Sequence, residues 1–273
     1  MKKVLLIFNG INSPENVLSF IKKNLKTEGV QFHGIFIRKL QRDQPYNYPF
    51  PNDLSATAVD YSIETEEAES YRLIHIYINL FEGECRANNM EFKTDFFIET
   101  PLEHLIANSG FVDLIISDRK TEFDDDSIDK LLVKAHCPVL LVGTAEVPLT
   151  QAVLTYDGSA NSMHAIRQYK YLFPELASLQ THLLSVVDED VRQNEKENTQ
   201  LNDWLAQHFK NFTINIRYGH PELEMVDFIN RSGNSIVVMG AFGRSSLSRW
   251  LQSSHAEKIL SDTKATVFTT HLA

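Results

Sequence analysis

Cysteine and positive charge are both scarce in this chain. Only two cysteines, Cys85 and Cys137, occur in 273 residues, too few and too far apart for a disulfide framework or a CxxC motif. Lysine and arginine total 26 against 36 acidic residues, so the formal net charge is −10. Such a chain repels phosphate backbones, which argues against nucleic acid as a partner. The low cysteine content is typical of the reducing cytoplasm, where we expect the protein to be located.

Long hydrophobic runs are also absent. The apolar run at residues 4–8 is shorter than the roughly 7 to 15 residues of a signal-peptide core. The run at residues 138–143 is far below the about 20 residues that cross a bilayer. We therefore expect neither a signal peptide nor a membrane span.

The chain contains two related halves. Residues 129–140 align without gaps with residues 257–268, and both read as the end of a helix, a short turn and a buried strand. Residues 113–117 match residues 235–239 in the same way. Such internal similarity predicts two copies of one structural unit, joined near residues 146–150.

Each half alternates strands with helices. The strands are near-continuous runs of Val, Ile and Leu, as in parallel sheets that are buried on both faces. This pattern predicts an α/β fold with two domains, at residues 1–146 and 150–273. The five strands of the second half are expected at residues 153–156, 182–187, 212–218, 235–239 and 266–270.

The first half carries an added segment, residues 41–61, which is rich in proline and aromatic residues. We predict that it is a loop. Because it follows the second strand, it would lie at the carboxyl edge of the sheet, where ligands of open α/β folds bind. It is either a packed surface loop or a lid or partner surface.

A stretch with two glycines follows a buried strand of the second half. Two residues separate Gly240 from Gly243, and nine separate Gly243 from Ser253, which Ser254 follows. Glycine at a strand end allows a positive φ or a close approach to a ligand, and main-chain N–H groups at a helix start bind anions. The stretch therefore predicts a phosphate-sized anion site, with a purely structural loop as the alternative.

This stretch resembles the nucleotide loop of the universal stress protein family, whose pattern is Gly, two residues, Gly, nine residues, then Gly or a small residue and Ser. The resemblance extends to residues 137–142, 156–159 and 256–260 and covers essentially the whole chain. It implies a tandem protein with two Rossmann-like (adenine nucleotide alpha hydrolase-like) domains, each an open five-stranded parallel sheet flanked by helices. Since family members commonly pair through their last strands, it also implies a pseudo-dimer within one chain, which could associate further as a homodimer.

The resemblance implies an ATP site in the second domain. Asp157 would lie near the ribose and base, and the main chain of Val186 would meet adenine. Ser253 replaces the usual glycine of the pattern, and its Cβ would reduce the space for the nucleotide. The other implied contacts are Met239, Gly240 and Gly243 along the sugar and phosphates, and Ser253 and Ser254 at the phosphates.

The corresponding stretch of the first half, residues 117–126, has no glycine and carries five carboxylates. A carboxylate about 4 Å from a phosphate charge costs roughly 4 kcal/mol at an effective dielectric near 20. Asn9 also stands where the second half has Asp157. We therefore expect ATP, with or without Mg²⁺, in the second domain only. Residues 124–126 would cap the following helix, with a divalent-ion site as the alternative.

Signatures of other chemistries are missing. The sequence has no HExxH, GxSxG, Walker or GxGxxG motif, so we assign no metal site and no catalytic residue. Cys137, before a buried strand, is expected in the core. Three hypotheses remain: a stress-response protein that holds ATP in its second domain, a ligand-free interaction scaffold, and an enzyme such as a slow ATPase, for which no general base is evident.

Overall fold

The structure is a computed structural model of the chain. It describes residues 1–9, 12–38, 56–98, 102–121, 131–132, 134–144, 146–187, 199–240, 263–270 and 272, with the backbone alone for residues 56–67.

The strands of this part of the chain form one sheet. They are β1 (Lys2–Phe8), β2 (Val30–Arg38), β3 (Glu91–Ile98), β4 (Leu114–Asp118), β5 (Val139–Val142), β6 (Gln151–Thr155), β7 (Gln180–Val187), β8 (Phe212–Tyr218), β9 (Ser235–Gly240) and β10 (Thr266–Thr270). Their order is β3-β2-β1-β4-β5-β10-β9-β6-β7-β8. Neighbours are parallel except β5 and β10, which are antiparallel. Each half therefore supplies five parallel strands in the same order, which confirms the predicted fold class.

The strand registers relate the two halves residue by residue. Val4 of β1 lies opposite Leu114 of β4, and Ala152 of β6 lies opposite Ile236 of β9. With residues 113–117 matched to residues 235–239, Val4 is equivalent to Ala152. Counting on along the strands makes Asn9 equivalent to Asp157, and Asp118 equivalent to Gly240.

The two halves join through their last strands. In the antiparallel pair of β5 and β10, Leu140 lies opposite Phe268, with Leu141 opposite Val267 and Val139 opposite Thr269. Leu140 and Phe268 are equivalent positions, because each pairs with the corresponding residue of β4 or β9. The pairing is thus symmetric about these two residues, as in a two-fold interface between identical subunits.

Helices cover both faces of the sheet. They are α1 (Glu15–Asn24), α2 (Ala56–Ala87), α3 (Leu102–Ser109), α4 (Ala160–Leu172), α5 (Thr199–His208) and α6 (Pro221–Arg231). Residues of α1, α2, α4 and α5 belong to the apolar core on one face, and residues of α3 and α6 to the core on the other. Burial on both faces explains why β4 and β10 are apolar or small at nearly every position, since every residue of these strands is buried.

Part of the predicted loop at residues 41–61 is helical. Helix α2 begins at Ala56, so the prediction of a loop is wrong for residues 56–61, while residues 41–55 lie outside the described residues. Ile74, Phe81 and Cys85 of α2 are buried against the sheet. These three residues recur at helical spacing and lie C-terminal to the predicted loop. The helix to which they belong begins within the segment, and its first turns occupy residues 56–61.

Among the residues that the structure describes, no helix is both long enough and apolar enough to cross a bilayer.

Candidate functional site

The expected site lies at the carboxyl edge of the second half. There β6 stands between β7 and β9. After β6 the chain adds β7 and β8 on one side of β6, and it then adds β9 and β10 on the other side. The direction in which strands are added therefore reverses between β6 and β9. Ligands of open α/β sheets bind at such a reversal, outside the carboxyl ends of the strands.

The loop after β6 is shaped by three residues that hydrogen bond locally. The Asp157 carboxylate accepts a hydrogen bond from the Ser159 main-chain N–H at 3.0 Å, and Gly158 between them has a φ of +80°. The Ser159 hydroxyl then accepts from the Ser162 N–H at 3.1 Å and caps α4. Because a positive φ favours glycine, Gly158 lets the chain turn so that Asp157 stays at the end of the strand, half-buried.

Main-chain groups flank the end of β6 from both sides. The Leu184 carbonyl accepts from the Tyr156 N–H, so the main-chain groups of Leu184 face β6. Those of Val186, two residues further along the strand, face the same side. Similarly, the Val238 carbonyl accepts from the Thr155 hydroxyl at 3.0 Å. The main-chain groups of Val238 therefore face β6, and those of Gly240, two residues further along, do so as well. Since β6 ends at Thr155, these groups of Val186 and Gly240 point into the space above it, beside Asp157. The two neighbouring strands are about 10 Å apart.

Gly240 also has a packing role. A Cβ at this position would stand 2.6 Å from the main-chain carbon and oxygen of Asn161 and 2.7 Å from the Ser162 nitrogen. The close approach of β9 to the start of α4 therefore requires glycine. Met239 has its side chain buried in the core. Because main-chain groups alternate along a strand, those of Met239 face β10, where Met239 lies opposite Thr269.

The structure thus brings three of the seven expected residues to the end of β6, namely Asp157, Val186 and Gly240, whereas Met239 is directed towards the core and β10. Gly243, Ser253 and Ser254 lie outside the described residues, and so do residues 124–126. Within the described part of the chain, no group of three or more His, Cys, Asp or Glu side chains is placed to hold a metal ion.

The first half fills the equivalent place with its own side chains. Asp118, the counterpart of Gly240, is buried, and its carboxylate accepts from the Asn16 side-chain amide at 2.6 Å. The same amide donates to the Gly143 carbonyl at 2.8 Å. Asn9, the counterpart of Asp157, accepts from the Asn12 N–H at 3.2 Å. A carboxylate and two amides therefore occupy the edge where the second half presents main-chain groups.

Arg119 connects this edge of the first half to the segment that leads into β10. Its guanidinium donates to the carbonyl of Thr263 and, at 3.2 Å, to that of Ala265. The carbonyl between them, of Lys264, accepts from the Thr144 N–H at 3.3 Å. The pKa of Arg119 is lowered by burial, although Asp118 partly offsets this.

Asn16 and Arg119 were not singled out by sequence reasoning. Asn16 carries a usable signal, because it is a polar residue beside the apolar stripe of α1. Arg119 carries none, since its partners are 144 and 146 positions away.

The two cysteines belong to the core. Both are buried, and burial, with nearby carboxylates, raises the pKa of the Cys85 and Cys137 thiols to about 12. A neutral buried thiol is a poor nucleophile. Cys137 therefore has the core role expected from its position before a buried strand.

Comparison with known proteins identifies the second half. Residues 151–271 match the model of the universal stress protein family. Comparison with curated proteins finds no match. Residues 151–271 therefore form a domain of the universal stress protein family, and the first half repeats its fold.

Solved structures share the fold of the whole chain. One is a universal stress protein from Archaeoglobus fulgidus, 15% identical, aligned over 98% of this chain and 96% of its own, with a TM-score of 0.66. Another is the functionally unknown protein PA1789 from Pseudomonas aeruginosa, 15% identical, aligned over 99% of this chain and 92% of its own, with a TM-score of 0.55. At such identities the likeness concerns the fold.

Proposed function

We propose that this chain is a stress-response protein whose second half binds an adenine nucleotide, with ATP as the expected ligand. The observation that carries the proposal is the convergence of the Val186 and Gly240 main chains beside Asp157. Adenine presents an amino donor next to a ring-nitrogen acceptor, and the C=O and N–H of one residue complement this pair. Val186 would hold the base in this way, and Asp157 would accept hydrogen bonds from the ribose hydroxyls.

The phosphates would follow the chain beyond Gly240. Gly243, Ser253 and Ser254 would offer main-chain N–H groups and hydroxyls to them, and Mg²⁺ would neutralise part of their charge. The first half is not expected to bind a nucleotide, since the buried Asp118 carboxylate stands where phosphate would approach.

Calorimetric titration with ATP and Mg²⁺ tests the proposal. Asp157→Ala is expected to weaken ATP binding by about tenfold or more, which is roughly 1.4 kcal/mol. Asn9→Ala, at the equivalent position of the first half, is expected to leave the affinity unchanged. GTP should bind more weakly than ATP if Val186 reads the base. Absence of saturable binding at millimolar ATP, or equal affinity of Asp157→Ala and the unchanged protein, would reject the proposal.

A ligand-free scaffold is the second candidate. It is favoured by the contact of Gly240 with the Asn161 main chain, because this packing accounts for the glycine without any ligand. Inorganic phosphate, nucleotides and nucleosides should then all fail to shift the unfolding temperature, whereas a nucleotide site predicts a rise that depends on ligand concentration.

A further inference from the structure

The two outer edges of the ten-stranded sheet differ in charge. β3 carries Glu91, Lys93 and Asp95, and Lys93 and Asp95 form an ion pair at 2.7 Å. β8, at the opposite edge, has the sequence Phe-Thr-Ile-Asn-Ile-Arg-Tyr, in which Arg217 is the one charged residue. Charged residues on an edge strand prevent further strand pairing. β3 therefore has this protection and β8 largely lacks it.

The exposed face of β8 is apolar. Ile214 is 42% exposed and Ile216 is 44% exposed, and they share a face with Phe212, which packs against the core together with Trp204 of α5. Alternate residues of a strand lie on the same face. Two aliphatic side chains therefore continue the core face of the sheet into solvent at its last strand.

The outward main-chain groups of β8 belong to the same residues. The Asn211 carbonyl accepts from Thr181, and the Gly219 N–H donates to Val187, so odd-numbered residues of β8 face β7. The N–H and C=O groups of Phe212, Ile214, Ile216 and Tyr218 therefore point away from the sheet. Among the described residues, no strand pairs with this side of β8.

We propose that β8 pairs with β8 of a second copy of this chain, antiparallel and centred on Asn215. This register places Ile214 opposite Ile216 of the second copy, and Phe212 opposite Tyr218. In the two pairs of Ile214 with Ile216, the N–H and C=O groups of each residue are directed at the other, which allows about four hydrogen bonds at the centre of the junction. Arg217 lies opposite Thr213, so no like charges meet.

The self-complementarity of the sequence is the reason to prefer a second copy over another protein. About Asn215, aliphatic meets aliphatic and aromatic meets aromatic, and such cross-strand pairs stabilise antiparallel sheets. The sheet already contains one symmetric antiparallel junction, between β5 and β10. The second junction uses different strands and is independent of nucleotide binding.

A contact through one seven-residue strand is small, and we expect a weak dimer. It buries less than the roughly 1,200–2,000 Å² of stable interfaces. The net charge of −10 also repels two copies at low ionic strength. Because salt screens this repulsion while the strand contact contains no ion pair, added salt is expected to strengthen the association.

Sedimentation or light scattering on the full chain tests the proposal, from about 5 to about 500 µM protein. The mass is expected to rise towards twice that of one chain. Ile216→Pro removes an outward N–H but no hydrogen bond to β7, so it should keep the fold and abolish the rise. Ile216→Val keeps the N–H and an aliphatic side chain and should retain it. Should the proline variant lose its circular dichroism signal, Ile216→Lys serves in its place.

Hydrogen exchange locates the contact. Peptides covering residues 212–218 should gain protection at high concentration, and peptides covering β3, at residues 91–98, should not. A mass that stays at one chain throughout, a rise that persists in the proline or lysine variant, or protection gained at a different surface would each overturn the proposal.

Discussion

Gly240 and Gly143 each lack a side chain at a place where two backbones meet. Gly240 approaches Asn161, and a Cβ on Gly143 would contact the carbonyls of Lys264 and Ala265. Gly240 is the last residue of the buried strand β9, where sequence alone also suggests a ligand, and Gly143 directly follows the buried strand β5. At this scale the packing requirement is visible only in the structure, because Gly143 and Lys264 belong to different halves of the chain.

Gly240→Ala is expected to destabilise the protein by about 1–3 kcal/mol, since the added methyl group forces β9 away from α4. Urea denaturation measures the change. Gly83→Ala is the matched control, because Gly83 lies within helix α2 with open space at its Cβ position, and the change should stabilise by about 0.5–1 kcal/mol. Equal effects of the two substitutions would contradict the packing role of Gly240.

At the scale of elements, the start of β10 is held by the first half of the chain. Three consecutive carbonyls, of residues 263–265, accept hydrogen bonds from Arg119 and Thr144. A charged donor to a partly buried carbonyl contributes more than a neutral one. The segment that precedes β10 in the second half is therefore positioned by the edge of β4 and β5.

Arg119→Ala is expected to lower the free energy of unfolding by about 1–3 kcal/mol, because two carbonyls lose their donor. Lys120→Ala, the neighbouring exposed cation, should change it by less than about 0.5 kcal/mol. Urea denaturation of both variants, compared with the unchanged protein, provides the measurement. A similar loss from the two substitutions would mean that charge, and not the hydrogen bonds of Arg119, is responsible.

At the scale of the whole molecule, the antiparallel junction of β5 and β10 is symmetric about Leu140 and Phe268, and the core is tightly packed at the same place. Phe268 is fully buried, with its ring centroid 6.1 Å from that of Tyr169 and 5.7 Å from that of Phe173. It lies opposite Leu140 of the first half. The aromatic cluster of Tyr169, Phe173 and Phe268 thus lies directly beside β5 of the first half.

Phe268→Ala is expected to cost about 3–5 kcal/mol through loss of burial and the cavity left behind. Because Phe268 lies at the junction, hydrogen exchange should quicken in β4 as well as in β9. Phe111→Ala, at a position that is 80% exposed, should have little effect on either strand. Faster exchange confined to β9 would show that the two halves are stable independently.

Much of the architecture follows from the sequence. The runs of Val, Ile and Leu predicted the parallel strands, and the strands at 212–218 and 266–270 agree with the structure residue for residue. The internal repeat aligned Asn9 with Asp157 as equivalent positions of the two halves, and the strand registers give the same alignment. These features are local, so periodicity and spacing carry them. The wrong prediction at residues 56–61 also rested on a local signal. The prolines just before these residues indicated a loop, whereas helix α2 begins at Ala56.

The geometry of the candidate site depended on tertiary structure. Spacing singled out Gly240, and the family resemblance implied roles for Asp157 and Val186, but neither showed that two main chains face the end of β6 from opposite sides. That arrangement follows from the strand order and register, which are long-range properties. The network of Asn16 and Asp118, and the reach of Arg119 across the junction, arise for the same reason: hydrogen bonds between residues more than 100 positions apart form only once the sheet has brought them together.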